Sequence, residues 1–135
     1  MAFQLSTAVR NATLAAIETT VGTSPILTIS TNNPPADCAT ANTGTVLASM
    51  TLPSDFMQAP AGGVVQLSGT WQDLSADASG TAGHFRVFDS TGTTCHMQGT
   101  ITATSGGGDM ELDNTNIATG QQIQITAFTI TAGGA

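Results

Sequence analysis

The sequence predicts a single, mainly β domain, an antiparallel β-sandwich or jelly roll with one N-terminal helix. Two observations carry this prediction: about eight short apolar runs recur at spacings of about 8–12 residues, and segments rich in Gly, Pro, Asn, Ser and Thr separate them. A chain of 135 residues can build a core without disulfides. Residues 1–135 are therefore expected to form one domain, with a helical segment at 1–22 and the sandwich at 25–131.

The helix is expected over Ser6–Thr20, because Ser6 or Thr7 can cap its first turn and several alanines favour helix. Gly22 can end it. Its narrow apolar stripe consists of Leu14, Ile17 and Val21. We expect this stripe to pack on the sheet of its own subunit, and a neighbouring subunit is the alternative.

The strongest strand signal is a hairpin formed by His84–Asp89 and Cys95–Thr102 around a glycine-containing connection. Alternation of side chains places Phe85 and Val87 on one face and His84, Arg86 and Phe88 on the other. By the same rule Cys95, Met97 and Ile101 share a face, and His96, Gln98, Thr100 and Thr102 take the opposite one. These bulky faces require a second layer to cover them.

Further strands are expected over Pro25–Thr31, Thr45–Leu52, Val64–Leu67, Thr70–Leu74, Met110–Leu112 and Gln122–Thr131. The connections include a Pro-rich loop at Asn32–Thr43, a short helical turn at Ser54–Met57, a polar segment at Asp73–Gly83 and a turn region at Asp113–Gly120. In Gln122–Thr131 the apolar residues change face, which predicts a bulge near Ala127 or a strand covered on both sides. Trp71 is expected to point into the core.

The composition excludes several classes of function. Only 8% of residues are charged, Arg10 and Arg86 are the only cations besides histidine, and the net charge is −7. Nucleic acid and anionic membrane surfaces both require clustered Lys or Arg, so neither is an expected partner. No apolar run reaches transmembrane length. Met1–Leu5 lacks the charged start of a signal peptide, so we expect maturation in a reducing cytoplasm.

His84, Cys95 and His96 are the residues most similar to metal ligands. Cys95 and His96 are adjacent and so lie on opposite faces of a strand, and Cys38 would have to reach them from a Pro-rich loop. We therefore predict no metal site. Cys95 is expected to be buried and reduced, and Cys38 free or partly exposed, with no reason in the sequence to pair them.

The carboxylates do not match a known site either. Asp73, Asp77 and Asp89 depart from EF-hand spacing. Asp109, Glu111 and Asp113 alternate along one strand, which indicates a solvated face, with weak calcium binding at a subunit interface as the alternative. No nucleophile, base and oxyanion donor come together in the sequence, so we predict no enzyme, no catalytic residues and no cofactor.

Two long segments carry a resemblance to a known family. Residues Gly69–Ala135, which include GHFRVFDSTGTTCHMQGT, resemble a group of small structural proteins encoded by tailed bacteriophages. The opening MAFQLSTAVRNATLAAIETTVGTSPILTIST is similar to the N-terminal helix and first strand of the same group. The resemblance implies a virion component assembled in the host bacterial cytoplasm, and it supplies no catalytic residues.

The expected function is a capsid decoration or cement protein that clamps major capsid subunits. A tail, neck or fibre component is the first alternative, and a carbohydrate-binding module for host recognition is the second. The expected partners are the chain itself, as a dimer or trimer, and a major capsid or tail protein. Self-association is expected because Pro25–Thr31 and Gln122–Thr131 have apolar residues on both faces and no Lys guards the sheet edges.

Overall fold

The computed structural model describes residues 3–135, so the expectation about Met1–Leu5 falls partly on residues outside that range. The helix α1 covers Thr7–Val21. The Ser6 hydroxyl accepts a hydrogen bond from the Val9 N–H (3.2 Å), and Gly22 ends the helix at a φ of 89°. These are the predicted caps. Within the described chain α1 is too short and too polar to cross a membrane.

The rest of the described chain is built from short strands, and the mainly β prediction with one N-terminal helix is confirmed. The strands are β1 (Ile26–Ser30), β2 (Val46–Thr51), β3 (Val64–Gln66), β4 (Trp71–Asp73), β5 (Gly80–Thr81), β6 (His84–Phe88), β7 (Cys95–Ala103), β8 (Met110–Leu112), β9 (Asn116–Ile117), β10 (Ile123–Ile125) and β11 (Thr129–Thr131).

The largest sheet has the strand order β2-β1-β6-β7-β8. The predicted hairpin forms its centre, because β6 pairs antiparallel with β7, and β1 pairs antiparallel with β6. The last pairing differs from the antiparallel expectation: β8 runs parallel to β7, with Ile101 opposite Met110. Three two-stranded ribbons, β10-β4, β11-β3 and β5-β9, complete the fold.

The edge of the sheet at β2 is covered by the segment that follows β4. The Asp73 carboxylate accepts a hydrogen bond from the Ser49 N–H (3.1 Å), and the N–H groups of Asp77 and Ala78 donate to the Leu47 carbonyl. The Ser49 N–H and the Leu47 carbonyl at this edge are thereby satisfied without a neighbouring strand. The sheet therefore curls toward the β10-β4 ribbon within one chain.

The core lies between the sheet, the ribbons and one side of α1. Trp71 is fully buried, as predicted, and its ring packs against Phe56 and Phe128, with ring centres 6.3 and 5.7 Å away. Phe85 meets Phe128 edge-on at 5.4 Å. Leu14 and Val21 of α1 join this core, so the helix packs on its own chain rather than requiring a neighbour.

Three local predictions are wrong. Ser54–Met57 forms no helical turn, because the Phe56 carbonyl accepts from the Ser68 N–H and Met57 bridges to Leu67, which holds the segment extended. Gln122–Thr131 is not one strand: the predicted change of face marks a break, and β10 and β11 pair with different partners. The polar connections at 73–83 and 113–120 contain β5 and β9, which pair with each other.

The loop between β7 and β8 allows the parallel pairing. Its backbone N–H groups at Ser105 and Gly107 donate to the two oxygens of the Glu111 carboxylate (3.2 and 3.1 Å). Ser105 and Gly107 both have positive φ values, 69° and 83°, which reverse the chain sharply. The chain can therefore return beside β7 within a few residues, where a parallel neighbour normally needs a long crossover.

Candidate functional site

The polar side chains singled out in the sequence meet beneath the loop at 32–45. This loop crosses the outer face of β6 and β7, which we call the loop-covered face, and the opposite face of the sheet looks into the core. His84 and Arg86 are only 0% and 3% exposed there. Buried polar groups require hydrogen-bond partners, and the loop supplies them to both His84 nitrogens and to one terminal nitrogen of Arg86, while Nε of Arg86 has none.

His84 is held at both ring nitrogens. Its Nδ1 lies 3.0 Å from the Asn32 carbonyl oxygen, and its Nε2 lies 3.1 Å from Oδ1 of Asn42. Asn42 is oriented in turn, because its amide donates to the Ser30 hydroxyl and its oxygen accepts from the Gly44 N–H. Both nitrogens of His84 are thus engaged in positioning the loop, and neither is open to a metal.

Arg86 reaches the middle of the same loop. One guanidinium nitrogen donates to the carbonyls of Cys38 and Thr40, both at 2.8 Å. The guanidinium also lies 5.5 Å from the centre of the Phe88 ring, a cation–π contact. Gln98, opposite Arg86 in the pairing of β6 with β7, donates from its amide to the Pro35 carbonyl (2.8 Å). Neighbouring strands therefore hold the loop at several points.

A β-bulge changes the predicted face of Cys95. Val87 pairs with Met97 but Phe88 pairs with Cys95, so His96 is the extra residue. Cys95 consequently joins Arg86 and Phe88 on the loop-covered face, whereas alternation placed it with Met97 and Ile101. It is half-buried rather than buried. His96 instead lines a cavity of about 260 Å³ together with residues of α1.

The bulge brings the two cysteines together, against the expectation that nothing pairs them. The Cys95 thiol donates to the Met97 carbonyl (3.4 Å), and Cys38 and Arg86 both lie close enough to influence its pKa. Burial and then the neighbouring Cys38 raise the pKa of the Cys95 thiol. Both cysteines are free thiols and half-buried, which agrees with the predicted partial exposure of Cys38.

The carboxylates that were predicted to be solvated, or that match no known site, are exposed or half-buried. Several accept hydrogen bonds from backbone N–H groups of other residues. Asp89 accepts hydrogen bonds from the Thr91 hydroxyl (2.8 Å) and the Thr93 N–H (3.0 Å) in the hairpin turn. Asp109 accepts from the Thr100 N–H (2.9 Å). Among residues 3–135 no group of three or more His, Cys, Asp or Glu side chains is placed to hold a metal ion.

Sequence reasoning missed one titratable pair, Glu18 and Asp55. Glu18 of α1 and Asp55 of the connection between β2 and β3 both line a cleft of about 270 Å³. Burial and then a hydrogen bond to Asp55 raise the pKa of Glu18 above its ordinary value of 4.5. Two carboxyl groups in contact share a proton when one is protonated and repel when both are ionised. No local motif connects residues so far apart in sequence.

Comparison with known proteins finds no matching family model, no matching curated protein and no matching solved structure.

Within the described residues the polar cluster works as a set of loop anchors. Its nitrogen donors point at carbonyl oxygens of the loop, and its two cysteines lie on the same face of the sheet. The chemistry open to it is therefore of two kinds: holding the 32–45 loop on the sheet, and reaction between adjacent thiols.

Proposed function

We propose that this protein is a non-enzymatic structural component of a tailed-bacteriophage virion, and specifically a capsid decoration protein that stabilises contacts between major capsid subunits. The observation that carries the proposal is where the chain keeps its cations. Arg86 is buried under the 32–45 loop, and Arg10 is half-buried, donating to the Ala132 carbonyl (3.2 Å) and packing over Gly63. The described surface outside these sites presents mainly hydroxyls, amides and carboxylates, with Phe3 and Leu74 as its most exposed large apolar side chains.

Such a surface suits broad contact with another protein. Removing a charged side chain from water is costly unless a well-placed partner compensates, whereas hydroxyl and amide groups exchange water for hydrogen bonds at little net cost. Because only 8% of residues are charged, such a surface can be covered by a capsid or by like copies with few buried ions. The same surface is repelled by packaged DNA, which supports a location on the outside of the shell.

The make-up of this surface also bears on the two alternative functions. A tail, neck or fibre component would present a similar surface, and copy number distinguishes it from a decoration protein. A carbohydrate-binding module would use exposed aromatic rings, but Trp71 is fully buried and Phe3 is the one large aromatic side chain strongly exposed among the described residues. Nothing in the described surface favours the carbohydrate alternative.

The first experiment counts copies. Particles of the phage that encodes this chain would be purified and analysed by quantitative mass spectrometry. We expect a copy number comparable with that of the major capsid protein. A copy number comparable with that of tail or neck proteins would reject the decoration proposal in favour of the alternative, and absence from the particle would reject both.

A second experiment tests the stabilising role. Particles made without the chain should lose their DNA at a lower temperature than complete particles, and purified protein added back should restore the difference. The Trp71→Phe variant is a suitable control, because it changes the core and leaves the surface intact. Add-back protein that binds without raising the release temperature would contradict a cementing role.

A further inference from the structure

We propose that Cys38 and Cys95 form a redox-sensitive modification site, in which a disulfide oxidant converts the two thiols into a disulfide that fixes the 32–45 loop on the sheet. The inference concerns the chemistry of this chain and does not depend on the proposed function. It also replaces the expectation that these two cysteines are unrelated.

The first support is the placement of Cys38. Its carbonyl accepts a 2.8 Å hydrogen bond from Arg86, and the loop around it is held by Thr40 on Arg86 and by Pro35 on Gln98. Arg86 and Gln98 face each other across β6 and β7. Cys38 is therefore held over this pair of strands by anchors on both sides of it in the sequence.

The second support is the bulge at His96. Without it, Cys95 would point to the core face together with Met97. With it, Cys95 lies opposite Phe88 on the loop-covered face, beside the Arg86 guanidinium that packs over Phe88 and holds the Cys38 carbonyl. Since Cys95 is also only half-buried, a small oxidant has access to the pair. Adjacent, accessible thiols are the arrangement from which intramolecular disulfides form.

The reaction balances with a small-molecule disulfide such as oxidised glutathione. Cys38 belongs to a loop whose neighbouring residues at 36, 37, 39 and 40 are exposed, so it meets the oxidant first. Its thiolate attacks one sulfur of glutathione disulfide, forming a mixed disulfide and expelling one glutathione thiolate. Cys95 then loses its proton to solvent and attacks the Cys38 sulfur, which expels the second glutathione. The two protein thiols are oxidised, and the glutathione disulfide is reduced to two thiols.

Arg86 assists the second step. Burial and the neighbouring Cys38 disfavour ionisation of Cys95, but the guanidinium charge beside the sulfur favours the thiolate. The bond then links residue 38 to residue 95 and closes a long loop of chain, which restricts the unfolded state strongly.

The test uses the folded chain of 135 residues and an unusual property of its sequence. Trypsin cleaves after Lys or Arg, and Arg10 and Arg86 are the only such residues. Cys38 therefore falls in the fragment 11–86 and Cys95 in the fragment 87–135. After treatment with oxidised glutathione, we expect the protein mass to fall by about 2 Da, and the two fragments to stay joined until a reductant is added.

Thermal unfolding supplies an independent readout. The oxidised protein should unfold roughly 10 °C above the reduced protein, and dithiothreitol should reverse the shift. Cys38→Ser and Cys95→Ser are the matched controls, each retaining one thiol. Both should accumulate the glutathione mixed disulfide and show no rise in the unfolding temperature.

A wild-type protein that retains both thiols, accumulates mixed disulfides like the single variants, or forms only intermolecular dimers would overturn the proposal. Treatment of the denatured chain separates proximity from simple reactivity. We expect mixed disulfides to accumulate there, because the approach of the two thiols requires the folded sheet. Equal yields of the internal disulfide from folded and denatured chains would also overturn it.

Discussion

Arg86 is one of three side chains that hold the 32–45 loop on the sheet, together with His84 and Gln98. A buried guanidinium stays charged, so its hydrogen bonds to the Cys38 and Thr40 carbonyls and its contact with Phe88 must compensate for lost water. Sequence alternation predicted its face correctly, but only the structure identifies what lies above it. The loop also covers Ser30 of β1, on a strand whose faces were expected to require a second subunit.

Replacing Arg86 with Met should lower the free energy of unfolding by about 2–4 kcal/mol, because two loop carbonyls lose their charged donor. Urea denaturation measures the change. Arg10→Met is the matched control: Arg10 donates a single hydrogen bond, to Ala132, and we expect a loss of about 1 kcal/mol. Equal effects of the two substitutions would show that the loop does not depend on Arg86.

Trp71 fills the centre of the aromatic core, and its indole N–H donates to the Ser68 carbonyl (3.1 Å). Trp71→Ala should cost about 3–5 kcal/mol through the cavity that it leaves. Trp71→Phe should cost less, since most of the volume remains. The wild-type fluorescence maximum should be blue-shifted, and a maximum typical of solvated indole would contradict the burial seen here.

At the scale of elements, the turn between β6 and β7 is closed by a carboxylate. Hydrogen bonds from Thr93 and Thr91 lower the pKa of Asp89 below its ordinary value of 3.8. A depressed pKa in the folded state means that the carboxylate stabilises the fold at neutral pH and that this contribution is lost as the pH falls through the folded-state pKa. Hydrogen bonds from Thr40 lower the pKa of Asp37 in the same way.

We therefore expect Asp89→Asn to weaken the hairpin at pH 7 and to flatten the loss of stability on acidification. Denaturation midpoints measured from pH 7 down to pH 3 test this expectation. Asp113→Asn, at an exposed position after β8, is the control for removing a negative charge alone. If the two variants show the same acid profile, the turn hydrogen bonds do not set the pH dependence.

At the contact between α1 and residues 55–60, the pKa of Glu18 is shifted upward, opposite to the shift of Asp89. The raised pKa of Glu18 means that its contribution to stability is present below the unfolded-state value and is lost as the pH rises through the folded-state value. Glu18→Gln should therefore stabilise the protein at pH 7. Since the group is largely solvated, screening limits the gain to about 0.2–1 kcal/mol. A stability that is unchanged or lower at pH 7 would contradict repulsion between Glu18 and Asp55.

At the scale of the whole molecule, self-association stays a prediction. Leu74 is 67% exposed, on the segment that covers the β2 edge, and is the most exposed large aliphatic side chain in the described chain. If copies associate through this region, sedimentation of the wild-type protein should show a dimer or trimer, and Leu74→Ser should shift it to monomer. The substitution should change folding stability by less than about 0.5 kcal/mol.

Val46→Ser is the matched control. Val46 lies on β2 itself and is less exposed than Leu74, at 38%. It should leave the association unchanged if Leu74 forms the contact. A wild-type chain that remains monomeric at high concentration and also fails to bind particles lacking it would end both the oligomer prediction and the decoration proposal.

Local rules were sufficient for a large part of the fold. Capping, alternation and side-chain size act between residues close together in sequence. They were enough to predict the Ser6 cap, the Gly22 end of α1, the β6-β7 hairpin and the burial of Trp71. The change of face before Phe128 was also visible, although it marks a break between two strands rather than a bulge.

The candidate site depended on tertiary structure. One extra residue at His96 reverses the face of Cys95, and alternation cannot reveal an insertion that only the pairing with β6 defines. Packing of the whole chain likewise decides three other approaches between distant segments. These are Cys38 with Cys95, Glu18 with Asp55, and β8 parallel to β7. The sequence by itself determined the class of fold and its local elements, and the three-dimensional packing decided which side chains meet.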